Sequence, residues 1–187
     1  MRITDISKQQ KRDRYNVYAD GEFVTALSSD VLAESGWRIG DEIDSDDVSR
    51  FAQRDRYGKL LHSAYGFLAR RPHSRGELET KLKQKDAEPE LIEAVLTHLE
   101  DLDYLNDETF ARQWVRERGS DRGPRLLRAE LRKKQVTDEV IEAALAEIVS
   151  NAEQEVRALA AKRLARLSGD PRAEEKTIAY LARRGYD

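Results

Sequence analysis

The sequence predicts a mainly α-helical protein, with tandem three-helix repeats forming an elongated array behind a small segment that contains a β-hairpin. Three observations predict this. The first is an internal repeat. Ser74 to Leu82 and Leu91 to Leu96 return as Gly123 to Leu131 and Val140 to Leu145, so that Leu82 matches Leu131 and Ile92 matches Ile141, both 49 residues on. A period of that length marks one supersecondary unit used more than once. The second is composition. Hydrophobic residues are 39% of the 187 and charged residues 37%, which suits thin helices that each bury one stripe better than a single thick core. The third is a change near residue 50 from short alternating runs to helical spacing.

The elements follow in order. Tyr15 to Thr25 reads as two alternating runs around Asp20-Gly21, a pair suited to the positive φ angles of a type I′ turn, so a hairpin is predicted. Ile3 to Ile6 could supply another strand. Ser28-Ser29 opens a short helix that stops at Gly36. Trp37, Ile39 and Ile43 are the candidates to close a small core, and acidic residues from Asp41 to Asp47 lead into the helical part. Leu61, Ala64, Tyr65 and Leu68 share one helix face, and Pro72 ends that helix. Ser74 with Glu77 forms a capping box for the next helix. Pro89 fits the first turn of a third, with Ile92, Val95, Leu96, Leu99 and Leu102 as its buried stripe. The second round starts at Asn106-Asp107, with Phe110, Ala111, Trp114 and Val115 inside. It continues from Gly123-Pro124 and again from Thr137-Asp138. A third round begins near Ala152, with Leu159, Leu164 and Leu167 as apolar positions and a second helix from Ala173 to Arg184. Tyr186 falls 50 residues after Val136, so the last helix of that round is expected to be missing from this chain and to leave an apolar face uncovered. The expected domains are residues 1–50, 51–103, 104–150 and an incomplete 151–187.

Charge is sorted within the rounds. Residues 70–85 carry six basic and two acidic residues, and 112–134 carry nine basic and three acidic. By contrast, 86–108 hold nine acidic residues and 138–155 hold six, with no Lys or Arg in either. Helix two of each of these rounds is basic and helix three is acidic. Arg125, Arg128 and Arg132 lie at i, i+3 and i+7, away from Leu127 and Leu131, and Arg118 and Arg122 extend that stripe. A basic stripe can bind phosphate backbones without reading sequence, or dock an acidic protein groove. It can equally be a solvated face whose charges pair with the acidic helix three of a neighbour. Candidate contact residues are Arg70, Arg71, Arg75, Lys81, Arg118, Arg122, Arg125, Arg128, Arg132 and Lys133.

Signs of catalysis are lacking. With no Cys, disulfides and thiolate metal sites are excluded. His62, His73 and His98 have no metal-ligand spacing, and Ser63, Ser74 and Ser120 have no recognisable base. Gly119 to Gly123 is followed by Pro124 rather than the Gly-Lys-Ser/Thr of a phosphate loop, so it reads as helix punctuation. Trp114 could stack on a base, although its spacing with Phe110 favours a core role. No cofactor is expected. The start of the chain has no apolar signal region and no run approaches membrane length, which predicts a cytoplasmic protein.

These residues resemble a known family. Ala64, Leu68 to Arg71, Ser74-Arg75-Gly-Glu77-Leu78 and Lys81-Leu82, together with Leu99, Leu102, Tyr104-Leu105-Asn106-Asp107, Phe110-Ala111 and Trp114, are similar to the first repeats of the RecX family, regulators of the RecA recombinase. Gly123-Pro124, Leu127, Glu130-Leu131 and Lys134 resemble the second repeat, and Leu181 to Tyr186 the third. The resemblance implies a curved array of three-helix repeats, and the repeat layout, in which each round contacts mainly its neighbours, predicts a monomer. It also implies binding to the RecA–DNA filament and to single- and double-stranded DNA, inhibition of the recombinase, and a part in DNA repair and the SOS response. Where the family has Lys-Gly after helix two, this chain has Lys85-Asp86 and Lys134-Gln135, so those turns are expected to differ in shape. The rival reading is a stand-alone regulator that binds DNA through helix-turn-helix geometry.

Overall fold

In the computed structural model of the chain, the described residues are 1–11, 13–120 and 122–186, without side chains at 147–155. The elements are β1 (Ile3–Lys8), β2 (Arg14–Ala19), β3 (Glu22–Ser28), α1 (Ser29–Ser35), α2 (Ser45–Leu68), α3 (Arg75–Lys83), α4 (Pro89–Asp101), α5 (Asp107–Arg118), α6 (Pro124–Lys133), α7 (Asp138–Arg166) and α8 (Ala173–Arg183). The chain divides into two compact units, Met1–Gly66 and Phe67–Asp187.

The first unit is built on a three-stranded antiparallel sheet in the order β1-β2-β3. The hairpin turns where the sequence says it should, with Asp20 at φ 51° and Gly21 at φ 84°. Ser28 caps α1 through Val31 N–H, and Gly36 at φ 68° ends it. Ile3, Val17 and Ile43 form the core, with Trp37 and Leu32 packed against it. Ile39, expected in that core, is instead 63% exposed. The tight loop between Arg38 and Asp41 points it outward while the Gly40 N–H bonds Ile3 O. Asp55 of α2 is almost fully buried. It accepts hydrogen bonds from both Arg14 nitrogens and Ser28 N–H and pairs with Lys59 at 2.8 Å. Burial pushes its pKa up, but those donors outweigh burial and hold it below the usual carboxylate value.

In the second unit α3 packs on α4, and α5 and α6 pack on α7, which also holds α8. Ile92, Val95, Leu96 and Leu99 are buried as expected, but Leu102 is 49% exposed because it caps α4 outside the stripe. Phe110, Ala111, Val115, Leu127, Leu131, Val136, Ile141, Ala144 and Leu145 form one core, with Trp114 at its edge. The expected boundaries at 50/51 and 150/151 fall inside α2 and α7. No Gly or Pro interrupts 138–166, so helix three of the second round and helix one of the third form one continuous helix of 29 residues. The expected start of the third round, Ala152, has its side chain outside the described set, as do Glu147, Glu153 and Glu155; Asp121 lies outside the described residues altogether.

The turns after α3 and α6 correct one expectation. Asp86 at φ 52° and Gln135 at φ 61° adopt the same left-handed conformation as Gly185 at φ 85°. Three successive rounds therefore end helix two alike, and two do so without glycine, at a steric cost of about 1 kcal/mol each. What the turns are for is visible from their contacts. The start of α3 sits on the turn after α6, where Ser74 Oγ donates to Lys134 O and a Cβ on Gly76 would overlap the Gln135 side chain. The start of α6 sits in the same way on the turn after α8. There the Gly123 N–H donates to Arg184 O at 2.6 Å and the Arg125 N–H to Gly185 O at 3.2 Å. A Cβ at Gly123 would run into the Gly185 backbone. The second helices are thus linked head to tail through a recurring joint. Tyr186 and Val136, matched by sequence, are both buried at these joints.

Candidate nucleic-acid interface

The sequence-predicted arginines fall into three groups. The first is the face of α6. Leu127 and Leu131 are fully buried, which turns Arg125, Arg128 and Arg132 outward together. None of them is bare. Arg128 bonds Glu142 of α7 through two nitrogens, at 2.5 and 2.8 Å. Arg132 bonds Asp138 at 2.7 Å, and Arg125 donates to Ala182 O at 2.7 Å. The hydrogen bond from Arg132 holds Asp138 below its usual pKa, and the one from Arg128 does the same for Glu142. The basic second helix is therefore matched by the acidic third helix of its own round, not of a neighbour. Lys133 is exposed beside them.

The second group does not join that stripe. Glu130 lies two residues from both Arg128 and Arg132, on the other side of α6. It draws Arg122 and, at 3.9 Å, Arg118 to itself, and accepts from Trp114 Nε1 at 3.0 Å. Arg118 lies over the Trp114 ring with its guanidinium carbon 3.5 Å from the centroid, and Lys134 Nζ is 4.3 Å away. Two cations already use this ring, and Phe110 stacks beside it. This answers whether Trp114 offers a free base platform: its π surface is engaged. The expectation that Arg118 and Arg122 extend the α6 stripe is corrected by the turn of the helix.

The third group belongs to α3. Arg75 reaches across to α4, bonding Glu93 at 2.6 Å and Glu100 at 2.9 Å, with Glu79 at 3.9 Å. Burial lowers its pKa, but the two α4 carboxylates outweigh that and raise it. Lys81 sits over the Phe67 ring at 5.0 Å, and Arg70 is exposed just past α2. Arg71 pairs with both oxygens of Glu77 at 3.1 Å, and Lys134 reaches the same carboxylate at 2.8 Å. The capping box is thereby half made. The Glu77 N–H bonds Ser74 Oγ, while the Glu77 side chain turns to the joint instead of to Ser74 N–H. Burial would raise its pKa, yet Arg71 and Lys134 bring it down to about 2. Sequence reading missed this ion cluster because Glu77 and Lys134 are 57 residues apart. The available signal was that both are motif positions of successive rounds.

Of the three histidines, His73 is buried with Nδ1 2.9 Å from Arg71 O, and burial lowers its pKa. Among the described residues no group of His, Asp and Glu could hold a metal ion, and no helix is long and apolar enough to cross a membrane.

Comparison with known proteins places this arrangement. Family models match three stretches: the regulatory protein RecX N-terminal domain over residues 1–44, the RecX first three-helix domain over 61–99 and the second over 106–145. The regulatory protein RecX of Listeria innocua is 30% identical over 192 residues, covering 100% of this chain and 71% of that protein. That of Bacillus subtilis is 35% identical over 146 residues, covering 76% of this chain and 55% of its own length. A crystal structure of regulatory protein RecX superposes with a TM-score of 0.74 at 26% identity, over 100% of this chain and 94% of the other. RecX from Lactobacillus salivarius gives 0.68 at 29% identity, over 72% and 90%. A sheet-bearing amino-terminal unit, two matched three-helix domains and full-length structural agreement lead to one conclusion: the chain belongs to the RecX family.

Proposed function

We propose that this protein is an inhibitor of the RecA recombinase that binds the RecA–DNA filament, and through it modulates homologous recombination, DNA repair and the SOS response. It binds single- and double-stranded DNA directly, works as a cytoplasmic monomer and has no catalytic chemistry of its own. The observation that supports this best is the outward face of α6, where the carboxylates that pair with Arg128 and Arg132 are themselves exposed. Exposed ion pairs are worth about 0–1 kcal/mol each, so a phosphate can take the place of the carboxylate at little cost. The acidic residues so released on α7, with those on α4, would meet the recombinase. The stand-alone helix-turn-helix alternative needs arginines free to read base edges, and Arg75 of α3 bonds two carboxylates of α4 at once, so two pairs rather than one would have to yield.

The test is the recombinase's ATPase activity on single-stranded DNA with increasing amounts of this protein. Hydrolysis should fall as the protein is added. An unchanged rate, with the protein bound to DNA in a sequence-dependent way, would support the alternative.

A further inference from the structure

The chain turns sharply between α4 and α5, and every residue from Glu100 to Tyr104 is exposed. Two of them are large and apolar: Leu102 is 49% exposed and Tyr104 60%. On either side Leu99 and Leu105 are buried and anchor the corner.

The backbone of this corner is fixed. Asp103 stands in the left-handed region at φ 57°. Its N–H donates to Glu100 O and the Tyr104 N–H to Leu99 O, both at 2.9 Å, the paired bonds of a Schellman turn. Asn106 Nδ2 donates to Asp103 Oδ1 at 3.1 Å, and Asn106 Oδ1 accepts from the Thr109 N–H at 2.9 Å, which ties the corner to the cap of α5. In such a turn the residue at the Tyr104 position ordinarily packs on the one at the Leu99 position. Here Leu105 is the buried residue and Tyr104 stays out. Leu102 and Tyr104 are thus presented on a preorganised frame, which lowers the entropy lost when they are buried against a partner.

The charge around them is of one sign. Residues 86–108 hold nine acidic residues and no Lys or Arg. Glu100 is engaged by Arg75, but neither Asp101 nor Asp103 has an ion pair among the described residues. Glycine suits the left-handed conformation better than aspartate, yet at this position the chain carries a carboxylate, flanked by the two apolar residues. The corner belongs to the first round and not to the second: 49 residues on, Asn151 to Glu153 lie within the unbroken α7.

We propose that this corner is a protein contact, in which Leu102 and Tyr104 enter an apolar pocket rimmed by Lys and Arg on the recombinase. Carboxylates repel phosphate, so the corner is not suited to DNA. A protein that coats DNA carries cations to do so. Those cations draw an acidic corner in, and burial of the apolar pair supplies the hold. The inference rests on the filament reading and narrows its protein contact to one corner of the first round.

Two titrations test it: labelled protein against recombinase filaments preformed on oligothymidine, and against oligothymidine alone. Leu102→Ser/Tyr104→Ser changes only exposed side chains. It should weaken filament binding about thirtyfold, as loss of a buried anchor does, with DNA affinity and the urea midpoint unchanged. Asp101→Asn/Asp103→Gly keeps the turn, since glycine accepts the left-handed φ. It should weaken filament binding about threefold and reduce its salt dependence. Ile39→Ser, at an exposed apolar residue of the first unit, should bind as the wild type does. An equal loss there would mean general surface stickiness and overturn the proposal. Equal weakening on bare oligothymidine would make the corner a DNA contact and also overturn it. So would a wild-type dimer that the Leu102→Ser/Tyr104→Ser variant converts to a monomer with filament binding kept, because a second copy would then be the occupant. If the wild type binds filaments and that variant matches it, the corner fails and the filament reading stands. If the wild type does not bind filaments, both fail.

Discussion

The second and third repeats both carry dense positive charge, but they handle it differently. On α6 each stripe arginine is answered from within the unit: Arg128 by Glu142, Arg132 by Asp138, Arg125 by Ala182 O. At the α7–α8 end Arg163 and Arg184 lean on Tyr180 and face Lys162 and Arg166 across a cavity. The joints differ in the same sense. The joint between α3 and α6 includes Glu77 between Arg71 and Lys134. At the joint between α6 and α8, Gly123 and Arg125 N–H groups bond Arg184 and Gly185 carbonyls. Sorted charge in a sequence thus has two structural meanings. Where an acidic helix follows a basic one, much of the charge serves the fold. Where it does not, as for Lys162, Arg163 and Arg166, no ion pair forms among the described residues.

The largest expected effect comes from removing the ionic joint. Glu77→Ala leaves the half-buried Lys134 and the more exposed Arg71 without the carboxylate they share, and should cost roughly 2–3 kcal/mol in urea denaturation. The pH dependence has a definite sign. The folded pKa of Glu77 is lowered from 4.5 to about 2, so its contribution is complete above pH 4.5 and is lost as pH falls from there toward 2. Glu77→Gln should flatten the stability profile in that window. A variant whose acid limb matches the wild type would mean that Glu77 is not what holds the joint.

Next come the glycines. Gly123→Ala drives a methyl into the Gly185 backbone, which cannot swing aside, and should cost about 2 kcal/mol. Gly76→Ala meets the Gln135 side chain first, so a rotamer change can absorb more of the strain and the cost should be smaller. Hydrogen exchange should show the first substitution loosening α8 more than α3. Even in the wild type α8 should exchange faster than α6, because Ile178 is 68% exposed on it.

Smaller still is the α6–α7 pairing. A double-mutant cycle on Arg128→Gln and Glu142→Gln should give a coupling of about 0.5 kcal/mol that fades with salt. Coupling well above 1 kcal/mol would make the pair structural and too strong to yield to phosphate. Asp86→Gly relieves a left-handed φ at an exposed turn and should stabilise the chain by about 0.5 kcal/mol.

Much of this was legible in the sequence, for identifiable reasons. Ser28, Gly36, Ser74, Asn106 and Gly123 mark helix ends because capping is local. The repeat matched Val136 to Tyr186 before either was seen to be buried. The failures are equally physical. The fusion of two helices into α7 was missed because the repeat period marks units, and only Gly or Pro marks a break. Leu102 and Ile39 are apolar and well spaced, yet a cap and a tight loop point them outward. The partners of the arginines depend on which helix lies opposite, which spacing along one helix does not reveal. The α7–α8 pocket went unnoticed because its cations are scattered from Lys162 to Arg184 and converge only when two helices pack.

The comparison is tested most directly by the salt dependence of single-stranded DNA binding in three proteins: the wild type, Arg125→Gln/Arg128→Gln/Arg132→Gln, and Lys162→Gln/Arg166→Gln. Each phosphate neutralised on a single strand contributes about −0.7 to the slope of log K against log salt. Losing two unpaired cations from the third repeat should flatten the slope by about 1.4. The α6 variant removes three cations but also frees the carboxylates that held two of them, and should flatten it by less. A larger change in the α6 variant, with the third-repeat variant unchanged, would contradict the contrast drawn between the two repeats and leave the α6 face as the DNA contact.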